Sequence, residues 1–551
     1  MKKIHYIALA LCSLAVFASC NDLLDLQQKG VTTPSTFYKT DDEAMAAAAN
    51  LYSAFAGNAY NYEINKTGLA DEVYIGGTGF AHNDVNEYCY TADNSSLQDL
   101  FTGYYSILYA ANLITDNVEP DTDVKKQVYA EGLFFRAWTH FELVTMWGPA
   151  PCITEARRDD YRVGNTPVEE TWAQIEKDLT EAIPNLPSKT GLNDKETCVR
   201  VTKETAEALL GKAYLWQGKN SEAAAEFEKV INSKLYDLMP LGDDGYLGYA
   251  RCVNDNNCEV LLQINRIADA SLYSFVYERI AIGLPTNMFT PAPLLDENGN
   301  PVQYWGVVNY WTGQEGWITV YNDKYYANPF YSGAWGFNSQ VHESLVYDFQ
   351  DNATANGGVQ DIRFKTTLLN PDQIYEDYGM AVDQPLNGSI GWFTTKHTSL
   401  TENWLDGTYA GFQNNDMYMR YAEVLLLAAE AQLITGNSSK ALEYVNKIRV
   451  HAGEPTLSSV TLDQIKMEKR LELCMEGVRY QDLIRWGDAA TVLKDQGKKI
   501  WYYGPDAQGK MYAYVGRENP EAGFKTGKNE LLPFPAQELN VNPNIVQNPG
   551  Y

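Results

Sequence analysis

Residues 205–232 read TAEALLGKAYLWQGKNSEAAAEFEKVIN, and this stretch decides the fold. Apolar residues recur at helical spacing on either side of Gly218, which predicts two amphipathic helices joined by a tight turn. Leu210-Gly211, Tyr214, Gly218, Ala223 and Phe227 stand at offsets like those of a tetratricopeptide (TPR) repeat. In such a repeat the small residues let two helices approach closely while the large ones fill the gap. A second pair is expected over Tyr421–Gly453, with Gly436-Asn437 as its turn. A third joins Val124–Trp147 to Pro167–Ile183 through a long Pro-containing loop, and helices over Asp41–Phe55 and Leu97–Asn117 supply another. One repeat cannot bury its own apolar face, so the expected fold is mainly α, a TPR-like right-handed helical solenoid.

Outward from these pairs the character changes. Over 236–404 helical periodicity fades, Gly, Asn and Pro punctuate often, and aromatics crowd in. This predicts an irregular, aromatic-rich lobe inserted into the solenoid, with Asn298-Gly299 as a tight hairpin turn. Helices resume in 405–551, which ends in an extended, Pro-rich tail from Leu531. Residues 20–235 form the N-terminal helical region. Before them, Lys2-Lys3, the apolar run Ile4–Ala18 and the small residues Ala18-Ser19 ahead of Cys20 make 1–19 a lipoprotein signal peptide, too short for a comfortable membrane span. Cys20 then becomes the acylated first residue of the mature chain. Each buried methylene contributes roughly 0.8 kcal/mol, so several acyl chains hold the protein on a membrane without a spanning helix.

Charge narrows the partners. The net charge of −28 becomes −30 once Lys2 and Lys3 leave with the signal. Nucleic acid and other polyanions are repelled over long range by such a surface. Membrane attachment must therefore come from the lipid. Cysteines are sparse, and only Cys252 and Cys258 lie close together, in a polar loop where an oxidising route outward permits a small disulfide. No paired Cys or His completes a metal site, although the acidic loops leave calcium open.

Four segments carry a family resemblance: AEGLFFRAWTHFELVTMWGPAPCIT (Ala130–Thr154), MYMRYAEVLLLAAEA (Met417–Ala431) leading into VNKIRVHAG (Val445–Gly453), MEKRLELCMEGVRYQDLIRWG (Met467–Gly487) and the terminal ELLPFPAQELNVNPNIVQNPGY (Glu530–Tyr551). In order and spacing these resemble the SusD/RagB family of outer-membrane nutrient-binding lipoproteins. The resemblance implies a lipid-anchored protein on the extracellular face of the outer membrane. It also implies a SusC-like TonB-dependent transporter as partner, to which an oligosaccharide, or in RagB-like members a peptide, is delivered. The charges of the third segment suit pairing along and across helices better than gripping a substrate, and Thr461-x-x-Gln464 predicts a capping box.

Sugar recognition needs flat rings for the C–H faces of pyranoses and polar groups for their hydroxyls. The central lobe holds both: Trp305, Tyr310, Trp311 and Trp317, with Asn309, Gln314, Glu315, Asn322 and Asp323 among them, and Tyr273 and Tyr277 slightly earlier. These rings either build the lobe's own core or face water, and their number favours at least two facing water. The Gly-rich stretch Asp71–Tyr90 is a second candidate surface, with Tyr74, Phe80, His82, Asn83 and Asp84 as its contact positions; the alternative is a plain surface loop. Arg279 and Lys324 are the only bases near the cluster, so a neutral glycan fits better than a sulfated one. Catalytic patterns are incomplete. His342-Glu343 opens a zinc-protease motif, but Val346 stands where the second His is required, and Gly504-x4-Gly509-Lys510 imitates a phosphate loop with Met511 in place of the hydroxyl residue. A binding protein without a cofactor is the expectation, and a surface hydrolase the lesser alternative.

Overall fold

The computed structural model describes residues 37–75, 81–156, 161–239, 256–265, 289–291, 302–308, 315–319, 330–331, 339–378, 380–382, 385–394, 396, 399–400 and 415–551. Cys20, Phe80, Cys252, Tyr273, Tyr277, Asn298-Gly299, Tyr310 and Trp311 lie outside these residues.

The N-terminal helices are α1 (Asp41–Gly57), α2 (Ala59–Gly68), α3 (Ala81–Asn86), α4 (Ser95–Asn117), α5 (Asp123–Trp147), α6 (Val168–Ala182), α7 (Lys203–Trp216) and α8 (Asn220–Ser233). They pack as neighbours, α1 on α4, α4 on α5, α5 on α6 and α7 on α8. The fold is TPR-like. Local chemistry starts these helices where the pattern predicts: the Asn94 side chain caps α4, Thr122 caps α5 and Thr202 caps α7, each accepting from the third backbone N–H beyond it. Gly218 turns the α7–α8 pair at φ +71°. Gly211 explains why that pair closes so tightly, because a Cβ there would stand 2.6 Å from the buried Phe227 ring. Between α5 and α6, Arg136 donates two bonds to Asp178, at 2.8 and 2.7 Å, joining the pair with a buried fork.

Further helices are α9 (Glu343–Ala355) and α10 (Ile362–Thr367), both within 236–404, and, after it, α11 (Tyr421–Ile434), α12 (Ser438–His451), α13 (Leu462–Glu472), α14 (Arg479–Trp486) and α15 (Ala536–Val541). The α11–α12 pair turns at Gly436, φ +89°, and continues the stack through α8, where Gln432 donates to Glu228 at 2.9 Å and Tyr444 reaches the same carboxylate. Thr461 and Gln464 form the reciprocal capping box at the start of α13. The tail holds the short helix α15 where continuous extended chain was expected. It is pinned by Trp147, whose indole donates to the Pro533 carbonyl at 2.9 Å, and by Asn548, which donates to the carbonyls of Trp147 and Leu532. No helix among the described residues is long and apolar enough to cross a membrane.

Short strands build the rest: β1 (Val73–Ile75), β2 (Val260–Ile264), β3 (Phe289–Pro291), β4 (Gln303–Val308), β5 (Glu315–Thr319), β6 (Ser339–Val341), β7 (Met380–Val382), β8 (Leu386–Asn387), β9 (Asp416–Arg420), β10 (Lys499–Pro505) and β11 (Met511–Glu518). β2 pairs antiparallel with β9, so the two ends of the insertion close on each other before the helices resume. Among the described residues on either side of Asn298-Gly299, β3 pairs with β7, and β4 with β5. The lobe is also less irregular than its sequence suggests, because it contains α9 and α10. Cys258 stands as a free thiol among the described residues, and its expected partner Cys252 lies outside them.

Lobe and scaffold meet in a buried charge cluster. Arg363, fully buried on α10, contacts Asp361 at 2.6 Å, Glu468 at 2.7 Å, Glu472 at 2.9 Å and Glu454 at 3.3 Å. Arg420, at the end of β9, reaches Glu259, Glu472 and Glu476, each at 2.7 Å. Lys396 of the lobe adds a 2.7 Å contact to Glu476. These cations hold the Glu472 carboxyl well below the usual range despite burial, whereas burial pushes Glu454 up to about 7.

Two outcomes follow from this packing. Gly211→Ala drives a methyl into Phe227 and is expected to lower stability by about 1–3 kcal/mol in denaturant titration. Arg363→Met leaves four carboxylates facing one another and is expected to cost about 3–5 kcal/mol at neutral pH. A depressed carboxyl such as Glu472 stabilises above its unfolded value of 4.5 and loses that contribution as pH falls. The gap between wild type and Arg363→Met therefore narrows as pH falls below 4.5, and a gap that stays constant from neutral pH to about pH 2 refutes this account.

Candidate functional site

The stretch Asp71–Tyr90 is built from its buried end. Asp71 pairs with Arg470 at 2.6 Å and accepts from Arg479 at 3.0 Å, and this pair of guanidiniums holds its carboxyl far below the usual range. Arg470 also donates to Ser344 at 2.8 Å and pairs with Asp348, so the N-terminal region, α9 and α13 share one cation. From this anchor β1 runs antiparallel to β6, with Tyr74 opposite Gln340. Asn86, fully buried, accepts from the Ile75 N–H and donates to the carbonyls of Gly68 and Val73, fixing the strand's far side.

Tyr74 is a correction to the sequence reading. It is 1% exposed, lies 4.5 Å from the His342 ring, and its hydroxyl donates to Glu343. Pairing with β6 turns the ring inward, so it offers no open face for stacking in this structure. His82 and Asn83 are half-buried and Asp84 is exposed, all on α3, directly beyond β1 in the chain. Burial depresses the His82 imidazole to about 4 and raises the Asp84 carboxyl. His82 is thus neutral at pH 7, suited to hydrogen bonding and not to holding an anion.

His342-Glu343 has a structural employment. His342 caps α9 by accepting from the Ser344 N–H at 3.2 Å, and burial lowers its imidazole to about 4. Glu343 accepts from both Tyr74 and the Trp501 indole, the latter at 3.3 Å. Among the described residues no three His, Cys, Asp or Glu side chains are grouped to hold a metal. The Gly504–Lys510 stretch is the end and turn of a hairpin: Asp506 accepts from the N–H groups of Gln508 and Lys510, and Gly509 sits at φ +84°.

In the inserted lobe β4 and β5 form an antiparallel ribbon whose register sets Trp305 directly opposite Trp317, with an irregularity immediately after it. Two of the sequence-predicted positions are thereby brought together across strands. The sequence reading passed over the hairpin β10–β11, which pairs with β8 on one side and reaches Glu343 through Trp501. Its signal was present in the alternation Tyr512-x-Tyr514-x-Gly516 after Trp501-Tyr502-Tyr503.

Comparison with known proteins places this architecture. The profile of the SusD family matches residues 294–551, and one described as starch-binding, associating with the outer membrane, matches 32–215. SusD-like protein P2 of Formosa agariphila is 26% identical, with 100% of this chain and 99% of the relative aligned. A SusD-like protein of Bacteroides ovatus is 25% identical over 97% and 96% of the two chains. Among solved structures, a laminarin-binding SusD-like protein superposes with a TM-score of 0.70 at 25% identity, covering 93% of this chain and 100% of that one. Surface glycan-binding protein A from Bacteroides thetaiotaomicron shares the fold, with a TM-score of 0.67 at 22% identity over 94% and 100%. With both halves of its sequence matched and the same helical scaffold, the chain belongs to the SusD-like family.

Proposed function

We propose that this protein is a cell-surface glycan-binding lipoprotein, held on the outer membrane by acyl chains at Cys20. It captures a neutral oligosaccharide and passes it to a SusC-like TonB-dependent transporter. The observation that carries the binding reading is the β4–β5 register, because positions directly opposed in an antiparallel pair lie on one face of the ribbon, where two indoles supply area for a sugar. The laminarin and surface-glycan ligands named for similar structures support it. The surface charge supports neutrality of the ligand, since the chain carries 71 acidic against 43 basic residues. Tyr310, Trp311, Tyr273 and Tyr277 are proposed to extend the contact, with Phe80, His82, Asn83 and Asp84 at its rim.

Calorimetric titration with laminarin and a panel of other neutral oligosaccharides tests the assignment. Trp305→Ala and Trp317→Ala are each expected to weaken binding by about 1–3 kcal/mol, the scale of a lost aromatic hot spot. Unchanged affinity in both variants removes the ribbon from the site, and products appearing on long incubation replace binding with hydrolysis. Anchoring is tested separately: Cys20→Ala is expected to move the protein from the membrane fraction to the soluble one. Retention of that variant in the membrane refutes the lipid anchor.

A further inference from the structure

The hairpin β10–β11 carries a row of rings that the reading above does not use. Alternation along its strands sorts the side chains onto two faces. Trp501 and Tyr503 face the lobe, the first donating to Glu343 and the second lying against Gly391, where a Cβ would meet the ring at 2.7 Å. Tyr502, Tyr512 and Tyr514 occupy the other face, with Tyr502 opposite Tyr514 and Gly504 opposite Tyr512. The Tyr502 and Tyr514 ring centres are 6.0 Å apart, and those of Tyr512 and Tyr514 are 5.2 Å apart. Tyr502 covers Gly516 so closely that a Cβ there would lie 2.2 Å from its ring, so the missing side chain is what lets the ring lie down. Tyr512 and Tyr514 are 45% and 36% exposed.

We propose that this tyrosine strip is a second sugar-contacting surface, which receives a single soluble chain of neutral pyranoses. The proposal rests on the glycan-binding reading and extends it to a part of the fold outside the inserted lobe. Three features select this occupant. The ring spacing is comparable with the rise of one sugar unit along an extended pyranose chain. Each ring carries a hydroxyl able to donate to and accept from sugar hydroxyls. Nearby charge is internally cancelled, because Arg517 forks onto Glu87 and Asn519 donates to the same carboxylate at 2.7 Å. The rings are inclined to one another by 61° and 34°, so the strip is twisted and suits a single chain in solution, not the flat face of a crystalline polysaccharide. The Glu87 fork ties the hairpin to the segment that also bears His82, Asn83 and Asp84.

Affinity electrophoresis in native gels cast with laminarin, soluble xylan or soluble starch tests the strip on the full mature protein. The double variant Tyr512→Ala/Tyr514→Ala is expected to bind the retarding polysaccharide about tenfold more weakly, the scale of one lost aromatic anchor. Tyr512→Phe/Tyr514→Phe keeps the rings and retains most of the retardation, and no variant is retained on crystalline cellulose. Thermal melting checks that the alanine variant is folded; where it is not, the single Tyr512→Ser at the more exposed ring replaces it, and is expected to weaken retardation in the same direction. Retardation equal to wild type in the folded alanine variant, or retention of wild type on crystalline cellulose, overturns the proposal while leaving the glycan reading intact. Failure of wild type to be retarded by any polysaccharide overturns the glycan reading itself, and the strip with it.

Discussion

Charge burial is the constraint on which the structure turns. Removing an ion from water costs several kcal/mol unless partners of opposite sign stand in the place of that water. Here the partners come from parts of the chain that are remote in sequence. Glu472 on α13 is satisfied only when Arg363 of the lobe and Arg420 at the end of β9 both arrive, and Asp71 only when Arg470 and Arg479 do. Each cation is shared among acids from different segments, so a shifted strand or a displaced helix strands several charges at once. Hydrophobic contacts alone tolerate sliding by a turn; this cluster does not. The segment MEKRLELCMEGVRYQDLIRWG is therefore a hub of the fold, and its charges are spent internally.

The same hub positions the candidate surface. From Asp71 the chain passes directly into β1, and Arg470 also bonds Ser344 in the first turn of α9. The helix cap places Glu343, which gathers Tyr74 from β1 and Trp501 from the hairpin. N-terminal loop, lobe helix and C-terminal hairpin are thus registered through two carboxylates. Tyr74 belongs to this mechanism: its burial helps to fix β1 against β6.

How much of this was legible follows from the range of the forces involved. The helical pairs were readable because periodicity, caps and turn glycines act within a few residues, as Gly211, Gly218 and Thr461 show. Pairing over long separations was not. Val260 meets Arg420 and Tyr74 meets Gln340 across stretches in which no local pattern names the partner. Tyr74 looked like a loop residue because Gly-Gly follows it, yet a strand far along the chain decides its burial. The Trp305–Trp317 opposition was half visible: composition marked the residues, whereas register alone sets the two positions opposite. The hairpin was obscured by glycine placement, since Gly504 and Gly509 suggested a phosphate loop. In the fold, one leaves the strand open beside Tyr514 and the other supplies a left-handed turn position.

Charge accounting also shapes what the outer surface is able to recognise. Arg136, Arg363, Arg420, Arg449 and Arg470 are all buried against carboxylates. In a chain with 43 basic residues against 71 acidic ones, each arginine used this way is one cation fewer at the surface. Long-range attraction then contributes nothing to holding an anionic or uncharged guest. Affinity on such a surface has to come from contact area and hydroxyl hydrogen bonds, which act only over a few ångströms and tolerate little misplacement. A fold that spends its arginines on fixing geometry gives up electrostatic capture, and short-range contact then depends on the positional accuracy that the buried charges provide.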